Sequence, residues 1–361
     1  MSHQTQHLPI YTDAESDTII EAEDLSALFD LDRGESRVLN EVDMSIERGE
    51  ILGVVGESGS GKSMFASALL DAVPEPGITT GDITFYPEDG EPVDVLDQSE
   101  EELRQMRWED ISMVFQGAMD SWNPTMSIGK HFEETLKAHD VPKGEGMERA
   151  RELINNVYLD PERILNAYPH ELSGGMKQRA LIALSLVLEP EVLVMDEPTA
   201  ALDLLMQRSI IALLSELRDE YNLTMVFITH DLELAAGLAN RIAVLYAFEF
   251  VEVGTADDII NDGHHPYTRA LINSTPNLET PVEHMEPIRG ESPDPVNVPT
   301  GCSYHSRCPL ADEFCETNDP DMMITNEDAE SNEVVHASAC HYWEQVPEEV
   351  PLHIEGVRVD E

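Results

Sequence analysis

The chain has 361 residues, of which 41% are hydrophobic, which suffices for a large core and a smaller appended domain. Its 21 basic and 72 acidic residues give a formal net charge of -51, which argues against nucleic acid as a partner. No run approaches the ~20 apolar residues of a membrane-spanning helix, and the N-terminus lacks the positive and apolar regions of a signal peptide, so we expect a cytoplasmic protein that meets a membrane through partners.

The acidity itself predicts adaptation to salt. The acids flank well-formed apolar strands such as ILGVVG and MVFIT, which argues against disorder. In a salty cytosol the screening length falls to ~3 Å at 1 M, which removes the self-repulsion of so many like charges. We therefore expect a halophilic source, an expectation that a full circular-dichroism signal and an unchanged melting temperature in dilute buffer would contradict.

The N-terminal third is predicted to be rich in strands. Residues 1–20 form a polar tail, after which TIIEAEDLSALFDL and VLNEVDMSI alternate apolar and polar residues. Strand ILGVVG then leads into the glycine-rich sequence GESGSGKS and the helix KSMFASALLDAV. The stretch VPEPGITTG ends that helix before a further strand, DITFY.

The glycine-rich sequence predicts a nucleotide site, because it follows an apolar strand and opens a helix. The alternative is an incidental glycine-rich turn. We expect Lys62 to reach the β- and γ-phosphate oxygens and Ser63 to bind magnesium, while backbone N–H groups surround the phosphates. The predicted ATP-binding residues of this loop are Gly56, Glu57, Ser58, Gly59, Ser60, Gly61, Lys62 and Ser63.

The central part of the chain predicts a helical insertion within an α/β core. Strand ISMVF ends at Gln116, and the pattern is then helical and highly charged from about Gly117 to Tyr168. After LSGGMKQR, strand VLVMDE, helix MQRSIIALLSELRDEY and strands TMVFITH and RIAVLYA follow in turn. This alternation predicts a mainly parallel sheet.

Two adjacent acids end the strand VLVMDE. We expect Asp196 to hold magnesium, directly or through water, and Glu197 to polarise the attacking water. Acids at a strand end are common in so acidic a chain, but Glu197-Pro198-Thr199 leads in order to Ala201-Leu202-Asp203.

These motifs together resemble the ATPase cassette of ABC transporters. The resemblance implies a P-loop NTPase fold of α/β class, with a RecA-like core, an antiparallel β subdomain and a helical subdomain at about residues 117–175. It implies that Gln116 senses magnesium and water, that His230 contacts the γ-phosphate and that Phe29 stacks on adenine, although a phenylalanine in a strand often belongs to the core. The signature residues, which would act on the opposite cassette's ATP, are Leu172, Ser173, Gly174, Gly175 and Gln178, and the D-loop is Ala201, Leu202 and Asp203.

Further stretches resemble the ATPase subunits of dipeptide/oligopeptide importers, a group with relatives for nickel and other solutes. They are Pro74-Glu75-Pro76-Gly77-Ile78, Asn123-Pro124, His265-Pro266-Tyr267-Thr268-Arg269-Ala270-Leu271, Pro299-Thr300-Gly301-Cys302 and Arg307-Cys308-Pro309. The resemblance implies an ATPase domain at 21–263 and an importer-type extension at 264–361. It also implies a second, nonidentical ATPase subunit, two permeases and an extracellular solute-binding protein as partners, at the cytoplasmic face of the membrane.

Two positions depart from that family. Phe248 stands where the family generally has glycine, and Gly117-Ala118 replace the usual acid and proline after Gln116. We expect the first to affect a turn near the end of the core and the second to affect the contact with the permease.

The four cysteines lie in the C-terminal extension, with five, six and twenty-four residues between them, and are Cys302, Cys308, Cys315 and Cys340. Because cytosolic disulfides are disfavoured, the cluster suggests a structural metal site, which could hold zinc or a four-iron cluster, or else four unligated thiols. The importer resemblance implies a [4Fe-4S] cluster. For zinc, His336 and His341 are spare ligands.

The favoured function is therefore the ATP-hydrolysing, energy-coupling subunit of a binding-protein-dependent importer of peptides. The alternatives are the same cassette importing another solute, such as nickel or a sugar, a soluble ABC ATPase of translation or DNA repair, and a scaffold that binds ATP without cleaving it. Replacing Glu197 with glutamine distinguishes these alternatives, because a subunit that hydrolyses ATP would lose turnover, whereas a scaffold has no turnover to lose.

Overall fold

The computed structural model describes residues 17–274, 287–326 and 334–352, so most of the predicted polar tail lies outside the described residues. The chain divides into two compact units. The first contains the described residues up to Leu96 and from Thr229 onward, and the second is Asp97–Ile228. The N-terminal strands and the cysteine-containing segment thus share one unit.

The first unit contains a four-stranded antiparallel sheet in the order β2-β1-β4-β5. Its long strands present apolar residues such as Ile20, Leu25 and Ile46 to the core, and each of these is fully buried. The burial accounts for the alternating pattern seen in the sequence. The strands are β1 (Thr18–Leu31), β2 (Gly34–Glu47), β4 (Ile78–Phe85) and β5 (Val93–Asp94).

The first unit also contains strands in the order β11-β12-β10-β9-β3, of which β3 and β9 are parallel and the others antiparallel. Every residue of β3 and β9 is buried, as their continuous apolar runs indicate. The strands are β3 (Ile51–Val55), β9 (Arg241–Tyr246), β10 (Glu249–Thr255), β11 (Met323–Ile324) and β12 (Ala337–Ser338). The helices are α1 (Lys62–Ala68), α8 (Leu232–Ala236), α9 (Ala256–Asp262), α10 (Pro266–Ser274) and α11 (Val346–Glu349).

Helix α1 is shorter than the sequence predicts. The Asp71 N–H donates to the Ala68 carbonyl at 2.9 Å, the Ala72 N–H donates to the Ser67 carbonyl at 2.8 Å, and Asp71 has a φ of 45°. This is the hydrogen-bond pattern of a Schellman turn, which ends a helix by placing one residue in the left-handed region. The apolar residues beyond Ala68 therefore pack in a turn.

The turn between β9 and β10 is where the chain departs from the importer family. Ala247 and Phe248 both have positive φ, at 49° and 75°, as in the two-residue turns that favour glycine. A non-glycine residue in this region costs about 1–2 kcal/mol, and Phe248 offsets it by burying its side chain to 2% exposure. The Phe248 N–H also donates to the Ser60 carbonyl at 3.1 Å, so this turn contacts the glycine-rich loop.

The second unit is built on three parallel strands in the order β8-β7-β6, all buried along their length. The strands are β6 (Ile111–Val114), β7 (Val192–Asp196) and β8 (Thr224–Thr229), the last residue of which falls in the first unit. The helices are α2 (Glu100–Glu109), α3 (Ile128–Ala138), α4 (Lys143–Asn156), α5 (Pro161–Asn166), α6 (Gly174–Ser185) and α7 (Leu204–Tyr221).

Helix α2 was not predicted, although the sequence carries its start signal. The Ser99 hydroxyl accepts the Glu102 N–H, and the Glu102 carboxylate accepts the Ser99 N–H, which is a capping box. Helix α2 has few apolar residues, so the sequence shows no clear helical repeat of apolar positions there.

Among the residues that the structure describes, no helix is both long and apolar enough to cross a bilayer.

Candidate functional site

The glycine-rich loop connects β3 to α1 and wraps around the side chain of Lys62. The Lys62 ammonium is buried and donates to the carbonyl oxygens of Gly56 and Glu57, at 2.8 Å each. Gly56 cannot be replaced without a clash, because a Cβ there would lie 2.2 Å from the Leu245 carbonyl oxygen. The Ser60 hydroxyl is buried and has no hydrogen-bond partner within the described part of the chain. A buried ammonium and an unused hydroxyl in one loop fit an anionic ligand such as a phosphate.

The C-terminal segment holds the second residue of this loop, a contact that sequence reasoning missed. The Arg307 guanidinium donates to both carboxylate oxygens of Glu57, at 2.7 and 3.1 Å, and the Tyr267 hydroxyl accepts the Glu57 N–H at 2.8 Å. Residues 57 and 307 are 250 positions apart, and no periodic pattern relates residues so distant. The only available signal was that Arg307 lies in a stretch shared with the importers.

Two further predicted residues lie in the first unit. Phe29, on β1, is half-buried, and its ring lies against Gly77, where an added Cβ would meet the ring at 2.7 Å. The proline-glycine stretch thus packs beside the predicted adenine-stacking residue. His230 directly follows β8 and is exposed.

The second unit brings Gln116 and Glu197 together. Asp196 ends β7 and is 3% exposed, and the Gln116 amide donates to a Glu197 carboxylate oxygen at 3.2 Å. The Glu197 backbone has a φ of 48°, and its N–H donates to the Ile228 carbonyl at 2.9 Å. A non-glycine residue in the left-handed region stores roughly 1–3 kcal/mol of strain, and such strain clusters at functional sites. After Gln116 the chain turns through Gly117 at a φ of 70°, in the left-handed region that favours glycine.

The signature and D-loop sequences lie at the starts of two helices of the second unit. The Ser173 hydroxyl caps α6 by accepting the Met176 N–H at 3.3 Å, and the Asp203 carboxylate caps α7 by accepting the Met206 N–H at 3.0 Å. The two sequences lie near each other, since a Cβ on Gly174 would be 3.7 Å from the Leu202 side chain.

The residues of the signature and D-loop sequences differ in their exposure to solvent. Ser173 and Gly174 are exposed, whereas Leu172 and Gln178 are 8% and 2% exposed. Gly175 is buried, and Ala201 and Leu202 precede the helix α7. Beyond the D-loop, Leu204 and Leu205 are 58% and 79% exposed, so two large apolar side chains face solvent beside the signature sequence.

The four cysteines line one small cavity of the first unit, with a volume of about 10 Å³. They are Cys302, Cys308, Cys315 and Cys340, and none forms a disulfide. Burial raises the pKa of the Cys302 and Cys340 thiols to about 12 and that of Cys308 to about 11. Within residues 17–274, 287–326 and 334–352, no three His, Cys, Asp or Glu side chains are arranged to hold a single metal ion.

The two histidines considered as spare ligands are placed differently. His341 lines the cysteine cavity, and its Nε2 lies 3.0 Å from the Asn318 carbonyl oxygen. His336 is not among the residues that line the cavity, and its Nε2 lies 2.9 Å from a carboxylate oxygen of Glu252.

Comparison with known proteins places the chain in a family. The sequence model of the family described as ABC transporter matches residues 39–200, and that described as oligopeptide/dipeptide transporter, C-terminal region, matches residues 251–315. The chain is 41% identical over 330 residues to the dipeptide transport ATP-binding protein DppD of Caldanaerobacter subterraneus, covering 91% of this chain and 98% of that protein. It is 38% identical to the oligopeptide transport ATP-binding protein OppD of Escherichia coli, covering 85% and 90%.

Solved structures agree with these relatives. The dimeric structure of MJ0796, a bacterial ABC transporter cassette, matches with a TM-score of 0.57 and 28% identity, over 66% of this chain and 99% of that one. The predicted α/β fold of a P-loop NTPase with an antiparallel β subdomain is confirmed. ATP and magnesium are the ligands expected of such cassettes. The chain therefore belongs to the family of ATP-hydrolysing ABC transporter subunits that includes the DppD and OppD proteins of dipeptide and oligopeptide transport.

Proposed function

We propose that this chain couples ATP hydrolysis to the import of dipeptides or oligopeptides. The observation that carries the proposal is that one chain matches both the ABC transporter family and the C-terminal region of oligopeptide/dipeptide transporters. The names of the relatives that match nearly the whole chain support the same substrate class.

In the proposed mechanism the first unit binds the nucleotide. The backbone of Gly56–Ser63 surrounds the phosphates, and Lys62 exchanges its two carbonyl contacts for β- and γ-phosphate oxygens. Ser63 would hold magnesium, which would supply neutralisation of charge that develops on the phosphates. Phe29 stacks on adenine, and His230 contacts the γ-phosphate.

The second unit supplies the hydrolytic carboxylates. Glu197 polarises the attacking water as a general base, and the amide of Gln116, which donates to that carboxylate, orients it. Asp196 would hold magnesium, directly or through water. The buried end of β7 and the strained backbone of Glu197 support these roles, because both fix the carboxylates before the nucleotide arrives.

The proposal extends to a closed pair of cassettes in a membrane complex. The exposed Ser173 and Gly174 would face the partner's ATP, and the exposed Leu204 and Leu205 would be covered by the partner. A second, nonidentical ATPase, two permeases and an extracellular solute-binding protein complete the complex, which holds this chain at the cytoplasmic face of the membrane. The turn at Gly117 follows Gln116 on the surface proposed to meet a permease.

The cysteine cavity is proposed to hold a [4Fe-4S] cluster with a structural role. The support is that four thiols line one cavity, since cysteine thiolates are the ligands that hold such a cluster. Cys302, Cys308, Cys315 and Cys340 would hold it, and zinc remains the alternative metal.

Salt adaptation is proposed on the charge of -51. Even acids that form ion pairs remain open to solvent, as Glu189 and Asp219 do at 62% and 66% exposure. Molar salt would screen their mutual repulsion.

The function is tested by isolating the chain from gently solubilised membranes in molar salt and identifying its stoichiometric partners by mass spectrometry. Two permeases, a second ATPase and a solute-binding protein are expected. Recovery of the chain alone, or with ribosomal or repair proteins, would contradict the importer.

A further inference from the structure

Arg307 lies against the glycine-rich loop and is almost completely withdrawn from water. Its side chain is 3% exposed, and its guanidinium lies 5.5 Å from the ring centre of Tyr246 and 5.8 Å from that of Tyr304. The rings of Tyr246 and Tyr267 are 4.5 Å apart, so an aromatic cluster surrounds the arginine. Its Nε donates to the Arg289 carbonyl at 2.5 Å, which leaves the two terminal nitrogens to face Glu57.

All the polar groups of Glu57 are engaged. Its carboxylate accepts two hydrogen bonds from Arg307, its N–H donates to Tyr267, and its carbonyl accepts from the Lys62 ammonium. Glu57 is therefore bound both to the residue predicted to contact the phosphates and to the cysteine-containing segment. Fork-like pairing of this kind fixes orientation as well as charge.

The charge of Glu57 poses a problem for a phosphate site. A carboxylate within the loop that receives a triphosphate would repel it, and such repulsion is strong where water is excluded. The neighbouring guanidinium cancels this charge and holds the carboxylate on the side of the aromatic cluster. Lys62 is then the cation that remains for the phosphates.

We propose that Arg307 is a positioning residue for ATP binding, which neutralises and orients Glu57 so that the glycine-rich loop accepts the nucleotide's phosphates. Through this pair the cysteine-containing segment supports the phosphate loop of its own chain. The inference rests on the proposed phosphate-binding role of Gly56–Ser63.

The test is a double-mutant cycle on the full chain, with the Kd of a non-hydrolysable ATP analogue and Mg²⁺ as the readout. Arg307→Met keeps the packing of the side-chain stem but leaves Glu57 uncompensated, so the Kd should rise about tenfold. Glu57→Gln removes the charge that needs compensation and serves as the second background of the cycle, whatever its own Kd. The double variant Glu57→Gln/Arg307→Met should bind within about twofold of Glu57→Gln alone, because the repulsion is gone.

The loss of the Arg307→Met effect in the Glu57→Gln background distinguishes a positioning role for Arg307 from a purely structural one. If Arg307 served only the aromatic cluster, Arg307→Met would weaken binding equally in both backgrounds, and the proposal would be overturned. It would also be overturned by an Arg307→Met variant that binds as the wild type does. The loss in Arg307→Met should grow as KCl is lowered over the range in which the protein stays folded, since salt screens repulsion between charges.

Two controls complete the design. Arg33→Met breaks an exposed ion pair with Asp294, at 2.6 Å, that also reaches the C-terminal segment but involves no residue of the loop, and its Kd should stay within about twofold of the wild type. Lys62→Ala should abolish binding. If Lys62→Ala binds normally, the proposed site itself fails, whatever Arg307 does.

A conservative variant covers the case in which Arg307→Met does not fold. Arg307→Lys keeps the charge and loses the fork, so a folded Arg307→Lys should bind within about threefold of the wild type. A tenfold loss in that folded variant would overturn the charge-compensation account.

Discussion

A buried ion pair anchors the segment before β12 to strand β10. The Glu252 carboxylate is fully buried, accepts the backbone N–H groups of His264 and His265, and lies 2.9 Å from Nε2 of His336, which is 3% exposed. Burial opposes ionisation of both side chains, but the hydrogen bond and attraction between them outweigh it. The pKa of His336 is therefore raised and that of Glu252 lowered. The pair is therefore charged at slightly acidic pH.

Replacing His336 with glutamine should destabilise this attachment strongly. Removing one partner of a buried pair costs about 3–5 kcal/mol, because the remaining charge is left uncompensated. Glutamine can still donate a hydrogen bond to Glu252, so we expect a destabilisation at the lower end of this range, about 3 kcal/mol. The matched control is His139→Gln in the second unit, where the same 2.9 Å contact is made to Glu109, whose carboxylate is 43% exposed. The His139 side chain is 5% exposed, but water reaches and screens the Glu109 carboxylate, so His139→Gln should cost less, about 1 kcal/mol.

The assay is urea unfolding followed by the emission of Trp343, whose ring lies 5.4 Å from that of His264, with Trp343→Phe to assign the signal. Because folding raises the pKa of His336, its stabilisation is fully present below its ordinary pKa of 6.5. This stabilisation is lost as the pH rises through the pKa of the folded state. Because folding lowers the pKa of Glu252, its stabilisation is present above its ordinary pKa of 4.5 and is lost as the pH falls through the pKa of the folded state. The difference between wild type and variant should therefore be greatest at about pH 5–6.5. A difference no larger than that of His139→Gln, or one that grows in alkali, would refute the reasoning.

Three further predictions concern the site, the cysteines and the salt requirement. Glu197→Gln should lower ATP turnover about 10²–10⁴-fold and leave ATP binding intact, which nucleotide titration and phosphate release measure separately; loss of binding would contradict the assignment. Cys315→Ser, purified without oxygen, should lose the iron and visible absorbance expected of the wild type, and a colourless, iron-free wild type would exclude the cluster. The urea midpoint should rise steadily with KCl, whereas a salt-independent midpoint would count against salt adaptation.

Much of the fold followed from local sequence patterns. The runs ILGVV and RIAVLY are continuous because β3 and β9 are buried throughout, and buried strands leave an unambiguous signal. The predicted roles in the ATP site depend on motif order and stay predictions, while the structure places Gln116 and Glu197 in contact. The end of α1 was misplaced because Asp71 enters a left-handed turn while the apolar pattern continues.

Long-range contacts were not predictable in this way. Nothing near Glu57 or Arg307 in the sequence signals that they pair, since a buried ion pair across 250 positions depends on the completed fold. The same applies to Glu252 and His336, which are 84 positions apart. His336 was considered as a metal ligand because histidines near cysteines suggest one, and the structure shows that a buried carboxylate occupies its Nε2 instead.

The central claim is that ATP hydrolysis by this chain drives peptide import. The most direct measurement is uptake of a labelled dipeptide into proteoliposomes that contain the complex purified with this chain, with its solute-binding protein and ATP supplied on their respective sides. The account predicts uptake that requires ATP and is lost with Glu197→Gln. ATP hydrolysis by a complete complex that proceeds without peptide uptake would contradict it.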